Sequence, residues 1–175
     1  TGIDIIAYKY RIDSDASEDW SDWIPADTNI IENSLADGSH TLEAIGKDSD
    51  NEVQDINYPT TYSWRIDNTP PVTAEILSYT NKTMRSVTLN FNESLDNVST
   101  QDKLQYKIVK SDNSTDIDEL QKVLDITGAD KLVCDWQFYA EFSIDIKNLT
   151  PDIENYFAIA VRDESGNNAL YNLGI

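Results

Sequence analysis

A single histidine, a single cysteine and several clustered acids are the residues of this 175-residue chain that could carry chemistry. His40 follows the turn Ala36-Asp37-Gly38-Ser39 and opens a predicted strand. A general base needs a nucleophile or substrate proton within hydrogen-bond reach. No G-x-S-x-G, H-E-x-x-H, phosphate-binding loop or dinucleotide fingerprint accompanies His40, so a structural histidine is expected. Cys134 lies in Leu132-Val133-Cys134-Asp135-Trp136, where apolar neighbours and an acid both disfavour the thiolate. Being alone, it can form no intrachain disulfide. Carboxylates are abundant enough to pair by accident, so no glycosidase-type acid pair follows from them. A non-enzyme is expected, with no cofactor.

Two further groups raise the question of binding. Asp48, Asp50, Asn51 and Glu52 crowd oxygen donors into five residues, and Asp67 stands at a candidate junction. Ca²⁺ takes six to eight such oxygens. The spacing does not fit an EF-hand loop, and Asp, Asn and Ser also build hairpin turns without any ion. Both readings stay open, with the turn favoured. Trp20 and Trp23, flanked by Asp19 and Asp22, are candidates for a sugar-stacking platform or for packing against a sheet, and packing is favoured.

The elements that must position these residues are strands. Ile6, Tyr8, Tyr10 and Ile12 alternate at a period of two, as do Tyr62, Trp64 and Ile66. Further strands are expected at 20–24, 29–31, 40–46, 73–77, 86–91, 104–109, 141–146, 156–161 and 169–173. The exception is 116–125, where Ile117, Leu120 and Leu124 follow helical spacing, with Asp116 and Glu119 placed as a capping box and Gly128 as a stop. Asp67-Asn68-Thr69-Pro70-Pro71 is the domain boundary, because two prolines can donate nothing to a ladder. The expected domains are therefore 1–68 and 69–175, semi-rigidly joined.

Acidity is shared between the two parts. Up to Asp67 there are 15 acidic and 4 basic residues, and beyond it 17 and 9, for a net charge of −19. Such surfaces repel phosphate backbones and anionic lipids, so nucleic-acid binding and membrane insertion are not expected. An extracellular chain of this size without disulfides suits a bacterium. It opens directly on strand-like residues and reads as a cut-out piece or mature product.

The two parts also repeat one pattern. Leu35, His40, Lys47-Asp48 and Asn51 are answered by Leu149, Tyr156, Arg162-Asp163 and Asn167. The stretch Leu149-Thr150-Pro151 through Tyr156-Phe157-Ala158-Ile159-Ala160-Val161 resembles the strand E, corner and strand F of a fibronectin type III domain. That resemblance implies a tyrosine corner at Tyr156 and a hairpin at Arg162 to Asn167. It leaves unexplained the helical insertion and the lack of a second-strand tryptophan, for which Trp136 is the candidate core substitute. The stretches Ala7 to Asp13, Trp20 to Pro25 and Leu35 to Leu42 make residues 3–67 resemble a bacterial Ig-like module without its two opening strands, which would leave an edge free for pairing with another chain; a distinct, shorter sandwich is the alternative. The implied whole is all-β: two tandem Ig-like or fibronectin type III-like β-sandwiches, the second with one short inserted helix. The implied role is a spacer or protein-interaction module of a bacterial surface or secreted protein. A glycan-binding or adhesive module, stiffened by Ca²⁺, is the alternative.

Overall fold

The computed structural model describes residues 4–171 except 15, 17 and 18, with the backbone alone at 77. The chain divides into two compact units, Thr1–Asp67 and Asn68–Ile175.

The first unit is a single antiparallel sheet. Its strands are β1 (Ile5–Ile12), β2 (Ile24–Pro25), β3 (Gly38–Asp48) and β4 (Thr60–Ile66), in the order β2-β1-β3-β4. The alternation along β1 sets the register: Tyr8 faces Gly46, Tyr10 faces Ala44 and Ile12 faces Leu42. β4 continues this apolar face, with Tyr62 opposite Leu42 and Trp64 opposite His40. The opposite face carries Lys9, Arg11 and Glu43. The segments expected as strands at 20–24 and 29–31 reduce to β2 and to irregular chain.

The second unit is a fibronectin type III-like sandwich of seven strands. One sheet is β5 (Ile76–Thr80), β6 (Ser86–Phe91) and β9 (Ser143–Lys147), ordered β5-β6-β9. The other is β7 (Gln105–Ser111), β8 (Leu132–Gln137), β10 (Tyr156–Arg162) and β11 (Asn168–Leu170), ordered β11-β10-β7-β8. The last expected residues of β11, 172–173, lie outside the described residues. Val87, Leu89 and Phe91 of one sheet meet Tyr106, Ile108, Phe157, Ile159 and Val161 of the other in the main core. Four aromatic rings surround Phe91: Tyr106, Tyr139, Phe142 and Tyr171, with centroids 5.5 to 6.0 Å away. The buried hydroxyls are satisfied, since Tyr171 donates to the Asn92 carbonyl at 2.7 Å and Tyr106 accepts from the Ser94 amide at 3.1 Å.

The inserted helix is shorter than expected. A 3₁₀ turn spans Ser114–Asp116 and the helix α1 spans Leu120–Asp125. Asp116 does not cap it, because its carboxylate accepts from Lys131 at 2.6 Å and Ser111 at 3.0 Å. The turn is capped instead by the Asn113 side chain, and the helix ends at Ile126, before Gly128. α1 covers the outer face of the β7–β10 sheet, where Ile117 and Val123 bury Val109, Ala158 and Ala160. Lys107, only 3 % exposed, reaches from β7 to donate to the Leu124 carbonyl at 2.8 Å near the end of α1. A cation there satisfies a helix carbonyl that would otherwise lack a partner.

Candidate functional site

The repeated basic–acidic pair is the most organised polar feature in both units. In the first, the Asp48 amide donates to the Glu52 carbonyl at 3.0 Å, and the Asn51 amide to the Asp48 carbonyl at 3.1 Å. Asp48 Oδ1 accepts from the amides of Asp50 and Glu52, both at 2.9 Å. In the second, the Asp163 amide donates to the Asn167 carbonyl at 3.2 Å and the Gly166 amide to the Asp163 carbonyl at 3.4 Å. Asp163 Oδ1 accepts from the Asn167 amide and Oδ2 from its side chain, each at 2.9 Å. The fourth residue of each turn has positive φ, 64° at Asn51 and 91° at Gly166, which Asn and Gly tolerate best. One hairpin is thus built twice.

The basic partner is also used alike. Lys47 Nζ lies 4.9 Å from the Trp23 ring centroid, and the Arg162 guanidinium 4.5 Å from that of Trp136. Each cation leaves the strand just before the hairpin and covers a tryptophan at or beside the edge strand. Partly exposed stacks of this kind contribute roughly 0.5–1 kcal/mol.

These placements bear on the candidate residues one by one. Asp48 is 9 % exposed and its Oδ1 is committed to two amides, while Asp50, Asn51 and Glu52 project from an exposed tip. Asp67 is the half-buried last residue of the first unit. The geometry of the tip is that of a turn, and acidic side chains gathered there do not by themselves point to a cation. Trp20 and Trp23 share Lys9, whose Nζ lies 5.5 and 5.6 Å from their centroids, and Arg11 lies 4.8 Å from Trp20. Cations of the chain itself therefore stack on both rings. Trp23 retains 38 % of its surface and Trp20 is half-buried.

His40 is held at both ring nitrogens. Nε2 lies 2.7 Å from the Ala36 carbonyl and Nδ1 2.6 Å from Asp13 Oδ2. Two acceptors favour the doubly protonated ring. The bond to Asp13, then that to Ala36, raises His40 above its ordinary 6.5, and the bond to His40 lowers Asp13 below 3.8. The histidine contribution is complete below pH 6.5 and is lost as pH rises through the folded value. That of Asp13 is present above 3.8 and is lost as pH falls through its own folded value. The urea midpoint of the first unit should therefore fall from pH 5.5 to pH 8 more in the wild type than in His40→Gln. Equal falls in the two proteins would show that the pair is not coupled to folding.

Two expectations for the second unit need correction. Among the described residues Tyr156 makes no corner bond to the backbone; its hydroxyl donates to the Glu154 carboxylate two residues back. The core-facing parity of β10 belongs to Phe157, Ile159 and Val161, which turns Tyr156 toward the helix side. It is His40, in the first unit, that bonds backward to the chain. Trp136 does not substitute in the main core either. Register irregularities between β7 and β8 send Val133 and Cys134 inward and leave Trp136 with the helix-side cluster. Cys134 is half-buried beside the Tyr139 hydroxyl at 3.0 Å, and burial pushes its thiol upward, away from nucleophilic use.

The hairpin makes a direct prediction. Asp163→Ala removes the two hydrogen bonds that its carboxylate accepts from the Asn167 amide and side chain, in a site 4 % exposed. A loss of about 1–3 kcal/mol is expected for the second unit. Chemical denaturation of wild type and variant measures it, and a change within about 0.5 kcal/mol, typical of a plain surface substitution, would show that the turn forms without its aspartate.

No family model matches the chain, and no curated protein does. Among solved structures, the chicken CNTN1 FN1–FN3 domains align over 95 % of this chain at 8 % identity, with a TM-score of 0.43. A two-domain fibronectin type III segment of chicken tenascin covers 98 % at 13 % identity and 0.37, and titin domains A168–A170 cover 95 % at 12 % and 0.44. The chain spans 56 % of the CNTN1 structure, 86 % of the tenascin segment and 51 % of the titin one. At such scores the fold rests on the strand order and register described above.

Proposed function

We propose that the chain is a non-catalytic spacer, with loops open to a protein partner, in a multidomain bacterial surface or secreted protein. The observation that carries this reading is repetition: the same four-strand sheet and the same anchored hairpin occur twice in one chain. Duplicated β units whose polar residues are spent on turns and stacks suit the setting of distance better than they suit catalysis. The acidic surface, spread over both units, suits solubility outside the cell. The occupied tryptophan faces lend the glycan-platform alternative no support.

A display assay tests the spacer role. The chain is placed between a bacterial surface anchor and a reporter epitope, and antibody access is compared with that given by an unrelated two-sandwich insert of equal length. Equal access is the expected result. An advantage specific to this chain, lost when its loops are exchanged, would replace the spacer role with specific binding.

A further inference from the structure

We propose that the first unit is half of a sandwich, completed by two antiparallel strands from the polypeptide immediately N-terminal to β1. This does not depend on the spacer role. The second unit shows what covers the equivalent face. Its sheet order β8-β7-β10-β11 corresponds to β2-β1-β3-β4, and the shared hairpin fixes the alignment. The pairs Tyr8/Gly46, Tyr10/Ala44 and Ile12/Leu42 then correspond to Tyr106/Val161, Ile108/Ile159 and Lys110/Phe157. In the second unit Tyr106, Ile108, Phe157, Ile159 and Val161 are 0–7 % exposed beneath β5, β6 and β9.

The matching face of the first unit has no such cover among the described residues. Tyr8, Tyr10, Ile12, Leu42 and Trp64 are half-buried, and Tyr62 is 67 % exposed. Both hydrophobic core clusters belong to the second unit, and among the described residues the first contributes only Ala7 and Ile45 to the buried apolar residues. A second sign comes from residues 28–32, the counterpart of β9. In the second unit β9 pairs only with β6. Residues 28–32 have no such partner strand, carry no strand structure, and leave Ile31 73 % exposed. β5 and β6 precede β7 in the chain, so the missing pair belongs just before β1, with alternating apolar residues facing Tyr10 and Leu42.

The test compares the 175-residue chain with the natural polypeptide extended N-terminally by about 40 residues, the length of chain that carries β5 and β6 ahead of β7 between Asn68 and Gln105. Amide hydrogen exchange is followed in β3 and at 28–32, and particle mass by light scattering. In the extended chain, exchange in β3 should slow by on the order of 100-fold and residues 28–32 should become protected. Ile31→Asp should abolish the added protection while leaving the 175-residue chain unchanged. Unaltered exchange on extension would overturn the proposal. So would a dimer of both chains through this face, which would make a second copy the cover.

Discussion

In urea, the chain is expected to unfold in two steps, the first unit well before the second. Trp20, Trp23 and Trp64 report on the first unit and Trp136 alone on the second, so most of the fluorescence change should accompany the early step. The reason is the imbalance of buried surface. The second unit encloses twelve buried residues in its main core and five more in the cluster between α1 and the sheet it covers. The first is held by a ladder, by Arg11–Glu43 at 2.6 Å, by cation stacks and by the His40–Asp13 pair. Single ion pairs and stacks contribute on the order of 1 kcal/mol each, against roughly 1.5–3 kcal/mol for burying one large apolar side chain, and among its described residues the first unit buries only the apolar side chains of Ala7 and Ile45. A stability on the order of 2 kcal/mol or less is therefore expected for the first unit, at the weak end for small domains. A single cooperative transition seen at all four tryptophans would contradict this.

Phe91→Ala is expected to have the largest single-residue effect. The ring is 2 % exposed and stands among four others, three of them edge-on. Removing it opens a cavity that Tyr106 and Tyr171 cannot fill without breaking their bonds to Ser94 and Asn92. A loss of about 3–5 kcal/mol follows. For a unit of this size that is a fall of more than roughly 12 °C in the second calorimetric transition. Phe91→Leu should cost only about 1–2 kcal/mol, and the first transition should not move in either variant. A small effect of the alanine variant would mean that the aromatic cluster does not hold the two sheets together.

Much of this was legible in residue types. Period-two alternation located β1, β4 and β6, the resemblance at Leu149 to Val161 located β10, and the Pro70-Pro71 pair lies three residues beyond the end of the first unit. The repeated Lys47-Asp48 and Arg162-Asp163 pairs were visible as a pattern before their common hairpin was. β8 was not, because its register irregularities break the alternation of Leu132-Val133-Cys134. Residues 29–31 have strand-like composition, but a strand needs a neighbour and β-propensity cannot supply one. Parity defeated the Tyr156 corner, since Tyr156-Phe157 offers two aromatics in sequence and only packing decides which faces inward. Lys107 gave no signal at all, because its burial depends on a helix inserted after it in the chain.

That the central strand pair, β1 with β3 and β7 with β10, is built twice in the same register is checked by cross-strand nuclear Overhauser contacts between backbone protons. Tyr10 is expected opposite Ala44 and Ile12 opposite Leu42 in the first unit, with Ile108 opposite Ile159 in the second. A slip of one residue, pairing Tyr10 with Glu43 or Ile45, would turn the apolar residues of β1 to the charged face and contradict it.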